Sequence, residues 1–201
     1  MGDASAQYVS RAGEKLQAAL DAFALDVRGA VCADFGCNVG GFVDCLLRRG
    51  AAKVYAVDTG YGALAWKLRR DGRVVVMERT NALHADPPEP VDLVTIDVAW
   101  TIQRYIVPAA LRWLRRDAAG GLAGKIISLL KPHYELAKLD GHTPPAALEL
   151  EQARQVCLTV CRNLADDGLP PVAVMQSTLV GKGGNAEFLL LFDCTCAPPQ
   201  L

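Results

Sequence analysis

From residue 11 to residue 23 the apolar side chains Leu16, Ala19, Leu20 and Phe23 fall three and four apart, which places them on one face of a helix. Downstream the pattern changes to short apolar runs at 30–35, 54–57, 74–77, 91–96 and 126–130, each too short for a buried helix. Helical spacing at 41–49, 63–70 and 102–115 interrupts them, so strands and helices alternate as they do in a parallel sheet built from βαβ units. After residue 131 the rhythm alters. A loop containing Thr143-Pro144-Pro145 leads to a long helix at about 146–165 and then to two more apolar runs, 172–178 and 188–193. The connection LVGKGGNAE between these runs is short enough for a hairpin, so the last strand is expected to enter the sheet antiparallel. The expected fold is α/β: a mostly parallel seven-stranded sheet with an antiparallel last strand and helices on both faces.

Composition narrows the class. The 201 residues are 51% hydrophobic and 21% charged, the balance of one globular domain across 1–201, with an N-terminal helix in 8–24, a core at 30–193 and a tail at 194–201. No apolar run approaches the roughly 20 residues that span a bilayer. The N-terminus MGDASAQ lacks a basic segment followed by an apolar one, and Ala6 stands where myristoylation needs Ser or Thr. A cytoplasmic protein without a membrane partner is expected. Seven cysteines (Cys32, Cys37, Cys45, Cys157, Cys161, Cys194, Cys196) form no Cys-x-x-Cys pair, and His84, His133 and His142 have no ligand spacing, so reduced thiols and no metal site are expected.

Chemistry gathers at the ends of the strands. After the first comes Asp34-Phe-Gly36-Cys37-Asn38-Val-Gly40-Gly41-Phe42, a glycine-rich turn suited to a ligand at a helix N-terminus, but without the Gly-x-Gly-x-x-Gly spacing of dinucleotide sites. Asp58 ends the second strand, where a carboxylate can accept from both hydroxyls of a ribose. Asn81 follows the third, Asp97 closes the fourth and Lys131 ends the fifth. Open α/β sheets bind ligands along such a rim. Taken singly, an acid after a strand is more often a helix cap, and Thr101 is an equally good cap for the helix after Asp97. Trp66 and Trp113, at helical positions, are expected in the core. His133 and Tyr134 are expected mainly to pack.

Read together, YVSRAGEKL, DFGCNVGGF, KVYAVDTGYGALAWKLR, ERTN, TIDVAW, LLKPHYE and GKGGNAEFLL resemble the FtsJ-like S-adenosylmethionine-dependent RNA 2′-O-methyltransferases, most closely the TlyA (haemolysin-like) rRNA methyltransferase branch. The likeness runs from about Tyr8 to Phe192. It implies a Rossmann-like methyltransferase fold and a catalytic tetrad at Lys15, Asp97, Lys131 and Glu187. It also implies that Asp34, Gly36, Cys37, Asn38, Gly40, Gly41, Phe42, Asp58, Asn81 and Asp97 hold S-adenosylmethionine. Three features depart from the branch: an S4-type RNA-binding domain normally precedes the catalytic domain whereas seven residues precede Tyr8 here, Asp-x-Ser-Phe reads Asp97-Val-Ala99-Trp100, and Lys-Pro-Gln-Phe-Glu reads Lys131-Pro-His133-Tyr134-Glu135.

The implied reaction is transfer of a methyl group to a ribose 2′-hydroxyl of RNA, with rRNA or a ribosomal particle as partner. A lysine serves as a base near neutrality only if burial and a neighbouring cation oppose its charge; Lys15 is the candidate cation, while Asp97 and Glu187 favour an ammonium that orients the hydroxyl instead. Net charge supports RNA binding only weakly: it is −1, with 17 Lys and Arg against 14 Asp and Glu through residue 131 and 4 against 8 beyond. Arg11, Arg48, Arg49, Lys67, Arg69, Arg70 and Arg73 are the candidate phosphate contacts. A protein partner or a homodimer is expected to stand in for the missing RNA-binding domain. The competing readings are a cofactor-binding regulatory or partner module of the same fold, and a methyltransferase acting on a small molecule.

Overall fold

The computed structural model describes residues 8–140 and 147–195. Five strands, β1 (Val31–Phe35), β2 (Lys53–Val57), β3 (Val74–Met77), β4 (Leu93–Ile96) and β5 (Lys125–Leu130), are parallel. β7 (Phe188–Asp193) runs antiparallel between β5 and β6 (Ala173–Gln176), giving the order β3-β2-β1-β4-β5-β7-β6. The seven strands and the reversed last one are those expected from the apolar runs. The helices are α1 (Ala12–Ala22), α2 (Gly41–Arg48), α3 (Trp66–Arg69), α4 (Gln103–Leu111), α5 (Pro132–Asp140) and α6 (Leu150–Asp166). None of the described helices is long and apolar enough to cross a membrane.

The central strands read as unbroken apolar runs because both of their faces are buried. In β5, Ile126 and Leu130 join Phe35, Trp113 and the inner residues of α4 and α6 on one face, while Ile127 and Leu129 join Leu16 and Leu20 of α1 and Phe42 and Leu46 of α2 on the other. Trp113 is fully buried, with its ring edge-on to Phe35 at 5.0 Å and its indole N–H donating to the Ala85 carbonyl at 3.1 Å.

Four expectations are corrected. Trp66 is not in the core: it is 71% exposed at the start of a one-turn helix, because α3 buries only Leu68. The helix after β4 stops at Leu111, leaving Trp113 in the following turn. Thr101 does not cap that helix. Its N-cap is Ile102, and the first helical amide, Gln103 N, donates at 2.8 Å to Glu135. Finally, residues 132–140, unassigned from periodicity, form α5, with Pro132 at the first helical position where its missing N–H costs nothing. Thr143-Pro144-Pro145, His142, Cys196 and residues 1–7 lie outside the described residues.

Trp113→Ala empties the largest fully buried side chain and leaves the Ala85 carbonyl without its donor. A loss of about 3–5 kcal/mol is expected, read as a lower denaturant midpoint with an unchanged slope.

Candidate active site

Parallel register sets the ends of β1, β2 and β4 level, since Phe35 pairs with Val57 and Ile96, while Ile96 pairs with Ser128 and β5 runs two residues further, to Leu130. The residues that follow therefore share one rim. β7 comes to that rim from the opposite direction, and because Leu130 pairs with Phe188, the next residue on each strand brings Lys131 and Glu187 to the same level.

The four tetrad positions form two ion pairs. Lys131 Nζ lies 2.5 Å from Asp97 Oδ1 and donates to the Val98 carbonyl at 3.2 Å. Asp97 Oδ1 is buried against the Lys131 ammonium in this ion pair. Lys15, on α1, reaches the carboxylate of buried Glu187 at 2.5 Å. Gly181 lies against that carboxylate, and a side chain there would collide with it. The cation expected beside Lys131 is thus committed to Glu187, and the charged partner of Lys131 is Asp97.

The expected cofactor residues divide into three groups. Asp58 holds the turn together: Oδ2 accepts from Asn38 N at 2.8 Å and Oδ1 from Gly60 N at 2.7 Å, which leaves further acceptor capacity on a half-buried carboxylate. Asn38 itself is exposed and left-handed, with φ of 46°. The glycines answer to protein packing. Gly36 (φ 81°) has its missing Cβ position 2.6 Å from the Asp97 carbonyl oxygen, Gly40 (φ 96°) faces Leu64 and Leu68, and Gly41 faces Ser10. Any side chain at Gly36 or Gly40 meets both a strained backbone and a neighbour. Cys37 and Phe42 are buried below the turn, and burial pushes the Cys37 thiol up, so it is no nucleophile. Asn81 is exposed, and its side chain accepts from Leu83 N at 3.0 Å, closing a turn.

Asp34 belongs inside the sheet. It is 1% exposed, accepts from the Thr95 hydroxyl at 2.8 Å, and is pushed up from 3.8 to about 8. Burial is the main cause, with Asp97 and Asp58 adding repulsion and the Thr95 hydroxyl opposing it. It can shape the turn from beneath but has little surface to offer a ligand.

Sequence reasoning missed a second buried polar cluster. Gln103 accepts from the Ser128 hydroxyl at 2.6 Å, donates to the Leu129 carbonyl at 3.4 Å, and gives its backbone N–H to Glu135. Burial raises Glu135 to about 7, opposed by the Gln103 hydrogen bond. The available signal was Pro132 followed by an acid in the first turn, the mark of a helix start. Beside this cluster His133 is buried and its ring lies 4.2 Å from that of Tyr134; Trp100, 69% exposed, rests on Tyr134 at 5.1 Å between centroids. Burial and the nearby Lys131 charge push His133 down, towards its neutral form.

A Rossmann-like sheet with one reversed strand, acids at its carboxyl rim and a glycine turn after β1 defines the fold of a methyltransferase. The chain belongs to the FtsJ-like methyltransferase family, whose profile matches residues 8–194. It is 42% identical over 194 residues to the 16S/23S rRNA (cytidine-2′-O)-methyltransferase TlyA of Mycobacterium tuberculosis, a match covering 94% of this chain and 69% of that one. Among solved structures it resembles a hemolysin-type protein of Streptococcus thermophilus (TM-score 0.83, 33% identity, 98% of this chain and 70% of that one). A similar protein of Lactococcus lactis gives a TM-score of 0.81 at 32% identity, covering 94% and 89%.

An acid whose folded pKa is raised binds its proton more tightly in the native state, so between about 4 and 8 the stability it contributes falls as pH rises. Asp34→Asn mimics the neutral form and keeps an acceptor for Thr95. The variant is expected to fold and to lose less stability than wild type between pH 4 and 8, measured as denaturation midpoints at both ends of that window.

Proposed function

We propose that this chain transfers a methyl group from S-adenosylmethionine to a ribose 2′-hydroxyl of ribosomal RNA. The observation that carries the reading is the Lys131–Asp97 ion pair at the rim, next to the turn closed by Asp58. The family and the cytidine-2′-O-methyltransferase activity named for the Mycobacterium tuberculosis relative support the same reaction class and make cytidine the first nucleotide to test.

The residues present suit the cofactor. Asp58, already oriented by two backbone amides, has lone pairs left for the two hydroxyls of a ribose. Asp97 stands beside the same turn, its backbone carbonyl against Gly36. When bound, S-adenosylmethionine supplies an electrophilic methyl group. The protein's part is to hold the RNA hydroxyl in line with that carbon, an alignment worth on the order of 7–11 kcal/mol. Lys131, anchored by Asp97 and the Val98 carbonyl, is placed to donate a hydrogen bond to the oxygen as its proton leaves and negative charge develops. Lys15 neutralises buried Glu187, which would otherwise stand as an unpaired charge beside the same strand end. Trp100, resting on Tyr134, offers an exposed ring at this rim on which a base can stack.

Incubation with methyl-labelled cofactor and ribosomal RNA, free and as assembled subunits, followed by nucleoside analysis, is expected to yield 2′-O-methylcytidine. A particle is the better substrate expected of a chain with so little unpaired positive charge. Absence of label from every ribosomal substrate would refute the reading.

Lys131→Ala is expected to lower turnover by about 10²–10³-fold, the range for losing one transition-state donor, with cofactor affinity within about twofold. Lys131→Arg keeps a cation and is expected to retain more turnover than the alanine variant if the charge stabilises the oxygen. A turnover no higher than that of Lys131→Ala would assign the lysine to proton removal instead.

Asp58→Ala is expected to weaken cofactor binding by about 1.5–3 kcal/mol, the range for charge-assisted hydrogen bonds, measured by calorimetry.

A further inference from the structure

Five of the seven arginines and lysines nominated from the sequence as phosphate contacts are spoken for. Arg48 and Lys67 share Asp44, Arg49 holds Asp21, Arg69 holds Glu78 and Arg73 holds Asp71. Arg70 has no carboxylate partner among the described residues, and its guanidinium sits 5.9 Å above the ring of Trp66. Arg79, after β3, repeats the arrangement 4.4 Å above the ring of Tyr61, with no ion-pair contact among the described residues although the Glu78 charge lies near enough to attract it. Tyr61 is 72% exposed and Trp66 71%.

The two pairs are mechanically joined. Arg79 N donates to the Gly60 carbonyl at 3.0 Å, Gly62 N donates to Glu78 at 2.8 Å, and the same Glu78 oxygen is bound by Arg69 of α3. The loop bearing Tyr61 and the helix bearing Trp66 are therefore pinned to one carboxylate. Two exposed aromatic rings, each with a guanidinium at its face and both tied to one carboxylate, make a surface suited to a ligand that stacks and carries negative charge.

We propose that Tyr61, Trp66, Arg70 and Arg79 form a docking ledge for unpaired RNA at the β2–β3 edge, apart from the reacting ribose. The ledge rests on the reading that the substrate is RNA and adds where a second stretch of that RNA is held. Each ring offers a π-face on which any base can stack, and each guanidinium, held in no ion-pair contact, can meet a phosphate, the combination that single-stranded nucleic acid requires. Two such cations predict a shallow salt dependence, since few counterions are released. The ledge flanks the loop that carries Asp58, so RNA lying on it would run past the cofactor turn towards the Lys131 end of the rim.

The test is fluorescence anisotropy with a labelled, unstructured 16-nucleotide RNA and the full chain, comparing wild type with Trp66→Ala, Trp66→Phe and Arg70→Gln. Trp66→Ala is expected to weaken binding on the order of tenfold, Trp66→Phe to stay within about twofold of wild type, and Arg70→Gln to reduce the salt slope by about one. Cofactor affinity, measured by calorimetry, stays unchanged in all three and reports that they are folded. Equal RNA affinity in Trp66→Ala and wild type overturns the ledge. A change in self-association on sedimentation with RNA binding intact also overturns it, by making the face a protein contact. The methylation assay is separate: a wild type that binds this RNA through Trp66 yet labels no ribosomal RNA refutes the proposed reaction and leaves the ledge standing.

Discussion

The site depends on β7 running against β5. A parallel strand at that position would carry its first residue to the far end of the sheet, some six residues and roughly 20 Å from the rim. Running antiparallel, β7 enters where β5 leaves, and the backbone ladder from Lys125–Asp193 to Leu130–Phe188 fixes Glu187 opposite Lys131 without any contact between their side chains. Lys15 is then drawn in from α1, 172 residues away in sequence from Glu187. Three distant parts of the chain meet because one strand is reversed.

Charge buried at a rim carries a desolvation cost, which is offset only when every charge has a partner. Here the partners are assigned pairwise, Lys15 to Glu187 and Lys131 to Asp97, so each charge of the cluster faces an opposite one. Asp34 sits deeper and avoids the cost differently, by holding its proton at neutral pH.

The sequence exposed what periodicity and strand ends encode. Central strands buried on both faces make unbroken apolar runs, and the partly exposed edge strands β3 and β6 still read as short apolar runs, so all seven strands were visible, and the polar residues that follow the strands landed on the same rim. What stayed hidden was decided by neighbours distant in sequence. Trp66 sits at a helical position, yet α3 is a single turn with only Leu68 inward, so the indole stays in water. The glycines after β1 read as an open cradle but are required by Asp97, Leu64, Leu68 and Ser10. Most of the nominated basic residues proved to be paired. Neither α5 nor the Glu135 cap carried an apolar stripe to betray it, and Thr101 looked as good a cap as Asp97 because the true partner of the first amide comes from another helix.

That borrowed cap links two helices that would otherwise open separately. The first amide of α4 is satisfied only while α5 is seated, and the Gln103 side chain ties both to Ser128 and Leu129 in β5. In native-state hydrogen exchange such elements behave as one foldon. The segment between β4 and α4 carries Asp97, and the step from β5 into α5 carries Lys131, so both belong to this unit. Opening of this unit is therefore expected to loosen the lysine and its carboxylate together, Asp97 keeping only its backbone bond to Phe35 of β1.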